Sequence, residues 1–369
     1  MQILKTQLQI SVNKMIYSEA LNFILKKQSL GIKPGLARVK KLLADMGNPQ
    51  DKIKVIHIAG TNGKGTVAKT IADALQNNGF NTGLFSSPWV VNYREQIQIN
   101  GDYISEDDFA SYVEEYSEND CTEFEMLTAI MYKYFADCTV DYAVVECGMG
   151  GAGDATNVEK ENLAVITSIS LDHTDFLGST VEKIAEEKCG ILRKNSACVL
   201  YPCKDLKRFF EPECEKLISV EEQGSVYANN LETVNAVLSE IGVDKVGSLS
   251  PLPARQERIN GLLLDGGHNF EAAKALAPLL NSEIAVIGMM GDKQVDEYLS
   301  VVAPKCRKII AVTPDNPRAM PAEALAEIAK KYCKDVTACG NPREAVISNS
   351  NLTLVCGSFY LIREIRNLI

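Results

Sequence analysis

The segment Gly60-Thr61-Asn62-Gly63-Lys64-Gly65-Thr66 concentrates glycines, one lysine and two hydroxyls. Such a run can cradle phosphate. Its backbone N–H groups donate to the oxygens, Lys64 adds a fixed positive charge, and the Thr66 hydroxyl can ligate Mg²⁺. The spacing departs from GxxxxGK[ST], because only Thr61, Asn62 and Gly63 separate Gly60 from Lys64 and Gly65 precedes the threonine. Three further groups could do chemistry. Glu146 closes the apolar run DYAVVE, which puts a carboxylate at a strand end. His173 follows Asp172 and is one of only three histidines (His57, His173, His268), a scarcity that narrows the candidates for a neutral imidazole ligand. Lys188 lies in EEKCGI. In isolation each has a bland reading: a solvated charge, a hydrogen-bonded structural histidine, an exposed lysine.

The elements that must position these groups alternate. Ser18–Lys27 has helical spacing, Gly31–Gly35 reads as a loop, and a further helix runs through Leu43. Lys54–Ile58 is a β-branched run that stops at Ala59-Gly60, and Val67–Gln76 reads as a helix. Strand, glycine loop and helix begin an α/β phosphate site. Thr82–Ser86, Asp141–Glu146 and Leu163–Ile169 read as strands; Phe124–Phe135 and Val181–Gly190 read as helices. Lys204–Val226 reads as irregular. A second series of strands (LLLDGG, EIAVIGMM, KIIAVT, LTLVCGS) alternates with helices at Glu271–Leu280 and Ala322–Tyr332. The expected fold is α/β: an N-terminal, phosphate-loop-type, mostly parallel sheet domain and a smaller, Rossmann-like C-terminal domain. The junction falls near Pro251–Asn260, giving units 1–253 and 254–369.

A chain of 369 residues exceeds one ordinary core, which agrees with two domains. A net charge of −10 argues against nucleic acid or anionic membrane as the main partner. The 11 cysteines are scattered with no CxxC pair, as reduced cytoplasmic thiols are. No apolar run approaches the roughly 20 residues of a membrane span. The N-terminal MQILKTQLQISVNK has no signal-peptide pattern. The expectation is a cytoplasmic protein.

IHIAGTNGKGTVA and the upstream GIKPGLARVKKLLADMGNPQDKIKVIHIAG resemble the Mur-ligase superfamily, specifically its folylpolyglutamate synthase/dihydrofolate synthase branch. TEFEMLTA, DATN, SLDHTDFLG and EEKCGI are similar to motifs of that branch. So are Ser86-Ser87-Pro88, Pro253-Ala-Arg255-Gln-Glu257, Asp265-Gly-Gly-His268-Asn269 and Cys356-Gly-Ser358-Phe-Tyr360. The likeness spans about Tyr17 to Ile362 and is poor between Leu200 and Ser250.

The resemblance implies an ATP- and Mg²⁺-dependent ligase that converts a carboxylate to an acyl phosphate and couples it to L-glutamate. ATP would occupy Gly60–Thr66, assisted by Arg255, Asp265 and, through the remnant Thr233-Val-Asn235-Ala236, Asn235 at adenine. One Mg²⁺ would use Thr66, Ser87 and Glu146. A second would use Glu146, His173 and a carbamoylated Lys188. Lys64, His173 and Lys188 would serve the chemistry, and Asp154, His268 and Ser358 the substrates. The resemblance implies a monomer acting on small molecules, with folate or dihydropteroate as acceptor. There are departures: Trp89 stands where the family has histidine, Ala152 where it has arginine, Ala254 where it has glycine, and residues 200–250 are short. Two other readings remain open here, a related ligase with a non-folate substrate and a nucleotide-binding relative without catalysis.

Overall fold

The computed structural model describes residues 14–31, 35–349 and 351–369. The expectations for the first thirteen residues and for positions 32–34 of the Gly31–Gly35 loop lie outside them.

Helices α1 (Tyr17–Lys26) and α2 (Ala37–Asp45) lead into β1 (Lys54–Ala59), α3 (Lys64–Asn77), β2 (Thr82–Phe85), β3 (Ile97–Ile99) and β4 (Asp102–Tyr103). There follow α4 (Glu106–Glu115), α5 (Glu123–Asp137), β5 (Tyr142–Glu146), β6 (Leu163–Ile166), α6 (Thr174–Leu177), α7 (Val181–Cys189), β7 (Ala197–Leu200), α8 (Lys207–Phe210), β8 (Lys216–Ser219) and α9 (Val226–Glu240). The eight strands form one sheet in the order β4-β3-β2-β5-β1-β6-β7-β8. It is parallel except for the β3–β4 edge. The two-residue strand period assigns the layers. Val55, Ala143 and Val145 pack with α1, α2, α4 and α5, while Ile56, Ile58, Val144 and Val165 pack with α3 and α9. Burial on both faces explains why β1 and β5 read as continuous apolar runs.

The remaining elements are β9 (Glu257–Ile259), β10 (Leu262–Asp265), α10 (Phe270–Leu276), β11 (Glu283–Ile287), α11 (Val295–Val302), β12 (Cys306–Val312), α12 (Ala322–Ala329), β13 (Val336–Cys339), α13 (Pro342–Ile347), β14 (Leu354–Cys356) and α14 (Phe359–Ile365). The second sheet runs β13-β12-β11-β14-β10-β9, with β9 its antiparallel edge. Leu263, Ile287 and Ile309 face α10–α12, and Leu264, Val286 and Ile310 face α13 and α14.

Three expectations are corrected. The stretch Lys204–Val226 is not wholly irregular, since it contains α8 and β8. β8 is an edge strand whose side chains stay half-exposed or exposed, so it lacks the apolar signature of a buried strand. The run Leu163–Ile169 leaves the sheet after Ile166, because Ser168 and Ser170 bond to the glycine loop instead. The helix expected over Glu271–Leu280 ends at Leu276 and closes with a 3₁₀ turn containing Pro278, which lacks the N–H a continuing helix needs.

Candidate active site

The C-terminal ends of β1, β5 and β6 meet where the chain crosses between neighbours, the place where open α/β sheets bind ligands. β1 ends at Ala59, and the next residue, Gly60, has a φ of +154° and an added Cβ there would lie 1.7 Å from Thr167 Oγ1. Only glycine fits. Gly63, at φ +87°, caps α3 and turns the chain so that Lys64 opens the helix. The loop is tied down from β6. Thr61 N donates to Ser168 O (2.6 Å), Ser170 N donates to Thr61 Oγ1 (3.0 Å), and Asn62 N donates to Ser168 Oγ (3.2 Å). Lys64 Nζ lies over the loop, 3.2 Å from Gly60 O and 3.3 Å from Thr61 O. Thr66 sits in the first turn of α3, beside Gly65.

Gly65 marks the point of convergence. A Cβ built there would be 3.1 Å from Arg255 Nη2 and 3.2 Å from Glu146 Oε2. Glu146 is 1% exposed and accepts from Ser87 N at 3.1 Å. Burial pushes its pKa up, against the pull of Lys64 and Arg255. A cavity of about 210 Å³ opens here, and Gly65, Ser87, Glu146, Arg255 and Phe359 line it. A buried carboxylate beside two hydroxyl residues at a phosphate loop suits Mg²⁺, which takes few protein oxygens and fills its shell from water and phosphate. Among the described residues no three His, Cys, Asp or Glu side chains form a ready-made metal cage.

Lys188, on α7, is 2% exposed and donates to Gly60 O at 3.0 Å beneath the loop. Burial and then repulsion from Lys64 lower its pKa to about 7. A lysine neutral near physiological pH is the nucleophilic form that adds CO₂. His173 precedes α6, at the junction with the second domain. It has φ +50°, and its Nε2 lies 3.4 Å from Lys293 Nζ of the second sheet's domain. Burial, with Lys293 adding, takes its pKa to about 4, so the imidazole is neutral at pH 7. Asp172 is the hub between the two halves. Lys293 Nζ is 2.7 Å from Oδ1, Asn269 Nδ2 3.0 Å from Oδ2, and His268 Nε2 3.7 Å from Oδ2. Burial opposes its ionisation, but His268 and Lys293 hold the carboxyl well below the usual range. Asn62 and Asn269 exchange amide hydrogen bonds of 3.2 and 3.1 Å across the same junction.

Other expected residues work through the backbone. Asp265 accepts from Gly267 N (2.9 Å) and Gln256 N (3.1 Å), fixing the linker that aims Arg255. Burial raises its pKa to about 6. Ala254 and Gln256, on either side of Arg255, have φ of +58° and +52°, so the position where the family has glycine is left-handed here too. Ser358 caps α14 through Tyr360 N, and His268 rests edge-on against Phe359. Asp154 folds its own loop, accepting from Met149 N (2.7 Å) and Thr156 Oγ1 (2.6 Å).

Asn235, expected to serve adenine beside the glycine loop, has its amide bonded both ways with Val246 (3.2 and 2.9 Å). Five residues earlier, about 140° around α9, Asn230 faces the loop. Asn230 is 6% exposed, its Oδ1 has no hydrogen-bond partner among the described residues, and a Cβ on Gly63 would lie 2.9 Å from that oxygen. Asn230 and Lys293 lie at the glycine loop and the domain junction and were not singled out from the sequence. The Asn-Asn pair at 229–230 and the lysine after the Gly291 turn were the available signals.

The chain is similar to known proteins across both domains. Residues 58–235 match the Mur ligase middle domain, and 254–359 match the Mur ligase glutamate ligase domain. The dihydrofolate synthase/folylpolyglutamate synthase of Bacillus subtilis is 30% identical over 95% of this chain and 98% of its own. An Escherichia coli FolC structure in complex with DHPP and ADP superposes with a TM-score of 0.84 at 25% identity, covering 96% of this chain and 97% of that one. The Yersinia pestis bifunctional folylpolyglutamate synthase/dihydrofolate synthase, complexed with AMPPNP and Mn ion, gives 0.84 at 25% identity, covering 96% and 98%.

Proposed function

This chain belongs to the Mur ligase family, in its dihydrofolate synthase/folylpolyglutamate synthase branch, and from that premise we propose that it is an ATP-dependent ligase adding L-glutamate to a folate-type carboxylate. The observation that carries the reading is the meeting of Lys64, Glu146 and Arg255 at Gly65, where one domain's phosphate loop receives the other's cation.

ATP binds Gly60–Thr66, with Lys64 and Arg255 on its phosphates and Asn230, in place of Asn235, toward the base. Thr66, Ser87 and Glu146 would hold one Mg²⁺, and Glu146, His173 and a carbamoylated Lys188 would hold a second. The metals supply charge neutralisation on the transferred phosphoryl group. The acceptor carboxylate attacks the γ-phosphorus in line and releases ADP, and the glutamate amine then displaces phosphate from the acyl phosphate. Lys64 and Arg255 offset the developing charge. The loop of Asp154 shapes the acceptor side, while His268 and Ser358 lie toward the glutamate. Closure along Asp172, Lys293 and Asn269 excludes water from the acyl phosphate. We take 1–253 as the nucleotide unit and 254–369 as the glutamate unit of a cytoplasmic monomer. No helix among the described residues is long and apolar enough to cross a membrane.

The test is phosphate release from ATP and Mg²⁺ with L-glutamate, comparing dihydropteroate, a tetrahydrofolate and no acceptor. Release that needs glutamate and a pterin supports the reading, and the productive pterin names the acceptor. ATP binding without pterin-dependent release refutes it.

A further inference from the structure

The loop that follows β2 belongs to the first domain in sequence but is held by the second. Trp89 lies under the guanidinium of Arg363 on α14, with 3.4 Å from Arg363 Cζ to the ring centroid. The same guanidinium donates twice to the Trp89 carbonyl, from Nε at 3.2 Å and from Nη2 at 2.6 Å. The Tyr360 ring also lies near the guanidinium, its centroid 5.2 Å from Arg363 Cζ. The next residue, Val90, is 4% exposed and packs with Leu264, Phe359 and Ile362, inside the second domain's core. A planar guanidinium that stacks and donates in a fork has no equivalent among other side chains.

The loop is stiff, so this grip is transmitted. Glu95 accepts from Val90 N, Val91 N and Asn92 N. Ser86 N bonds to Gln96 O at 3.1 Å, and Ser87 N bonds to Glu146 Oε2 at 3.1 Å. Only Pro88 therefore separates Ser87 from Trp89, whose carbonyl is anchored.

We propose that Arg363 is a positioning residue for the reaction: by gripping Trp89 it ties the Ser87 loop to the second domain, so that docking of that domain and setting of the Ser87–Glu146 metal position are one event. This rests on the reading of Ser87 as a metal contact. Arg363 lies outside the lining of the cavity at Gly65 and acts through the loop alone.

Trp89 is the only tryptophan, so its fluorescence reports the grip directly. The full chain is compared with Arg363→Met, which keeps bulk but loses charge and both donors, with Arg363→Lys, and with Ser87→Ala. Acrylamide quenching measures Trp89 access. Paramagnetic titration of Mn²⁺ in the presence of ADP measures the metal position, and steady-state assays separate the apparent KM for Mg²⁺ from kcat. In Arg363→Met the quenching constant should at least double, and Mn²⁺ affinity should fall about tenfold, the scale of a lost desolvated cation–ring contact. Arg363→Lys should fall between, and it carries the test should the methionine variant fail to fold. Unchanged quenching, or increased quenching with Mn²⁺ affinity held within about twofold while Ser87→Ala shifts it, overturns the proposal. If Ser87→Ala itself leaves Mn²⁺ affinity unmoved, the metal assignment of Ser87 falls first and the proposal with it. Lower thermal stability alone, with metal affinity intact, marks Arg363 as merely structural and also overturns it.

Discussion

Replacing Lys188 by methionine should make the protein more stable at neutral pH while abolishing its activity. The ammonium is 2% exposed and has one acceptor, Gly60 O. Burial brings its pKa from 10.5 to about 7. At about 1.36 kcal/mol per unit, that is roughly 5 kcal/mol carried by the charged form. The sign follows from the proton count. Between pH 7 and 10.5 the unfolded chain holds a proton that the native chain lacks, so stability rises with pH by up to about 1.4 kcal/mol per unit. Below about pH 7 both states are protonated, and the full cost persists. Methionine removes the linkage and one of the two hydrogen bonds to Gly60 O, which keeps Lys64 Nζ at 3.2 Å; losing that bond costs about 1–2 kcal/mol and leaves a net gain of about 3 kcal/mol at pH 7. Urea unfolding in CO₂-depleted buffer from pH 7 to 9.5 measures both curves. The wild type should climb and the variant should lack this component. Labelled bicarbonate should give a carbamate resonance in the wild type alone, and ADP formation should fall about a thousandfold or more in the variant. Parallel stability curves would refute the buried-amine reasoning. A wild type with no carbamate resonance, active without bicarbonate, would refute the modification.

Glu146→Gln should remove a buried charge whose pKa burial already raises, stabilising the fold by about 1 kcal/mol at pH 7 while reducing ADP formation by about a thousandfold; thermal melts paired with turnover check both. Gly60→Ala should cost about 3–5 kcal/mol, because its Cβ would collide with Thr167 Oγ1 at 1.7 Å; Thr167→Ala in the same chain should return part of this in urea unfolding. Asn230→Ala should raise the KM for ATP about tenfold with little change in stability, whereas Asn235→Ala should leave that KM alone and lower stability by about 1–2 kcal/mol, since its amide holds Val246. Equal effects on KM would restore Asn235 as a nucleotide contact.

The sequence shows the site best where one residue type answers one local demand. Gly60 and Gly63 announce a loop because their backbone angles and clearances exclude other residues. Glu146 is legible because an acid ending a buried strand has few structural uses. Asn230 was hidden because its role depends on the face it takes on α9. A helix with its apolar residues on one core gives Asn230 and Asn235 the same local setting, and only the packing against Gly63 separates them. β8 was hidden for the opposite reason: an edge strand buries too little to impose an apolar pattern.

What no local pattern carries is the junction. Lys293 is unremarkable beside Asp292, and Arg363 reads as one more charge near a C-terminal helix. Each acquires its meaning from a partner more than 100 residues away, Asp172 for one and Trp89 for the other. Both contacts join the two domains, as the reciprocal amides of Asn62 and Asn269 do. Neither domain alone contains a complete set of charges for phosphoryl transfer: the first supplies the loop and Glu146, and the second supplies Arg255 and Lys293. On the proposed mechanism, catalytic competence is therefore a property of the docked state, and side chains at the junction bear on the chemistry even where they touch no substrate. That is why the departure at Trp89, which looks like damage to a metal loop when read along the chain, is in three dimensions a site of interdomain attachment.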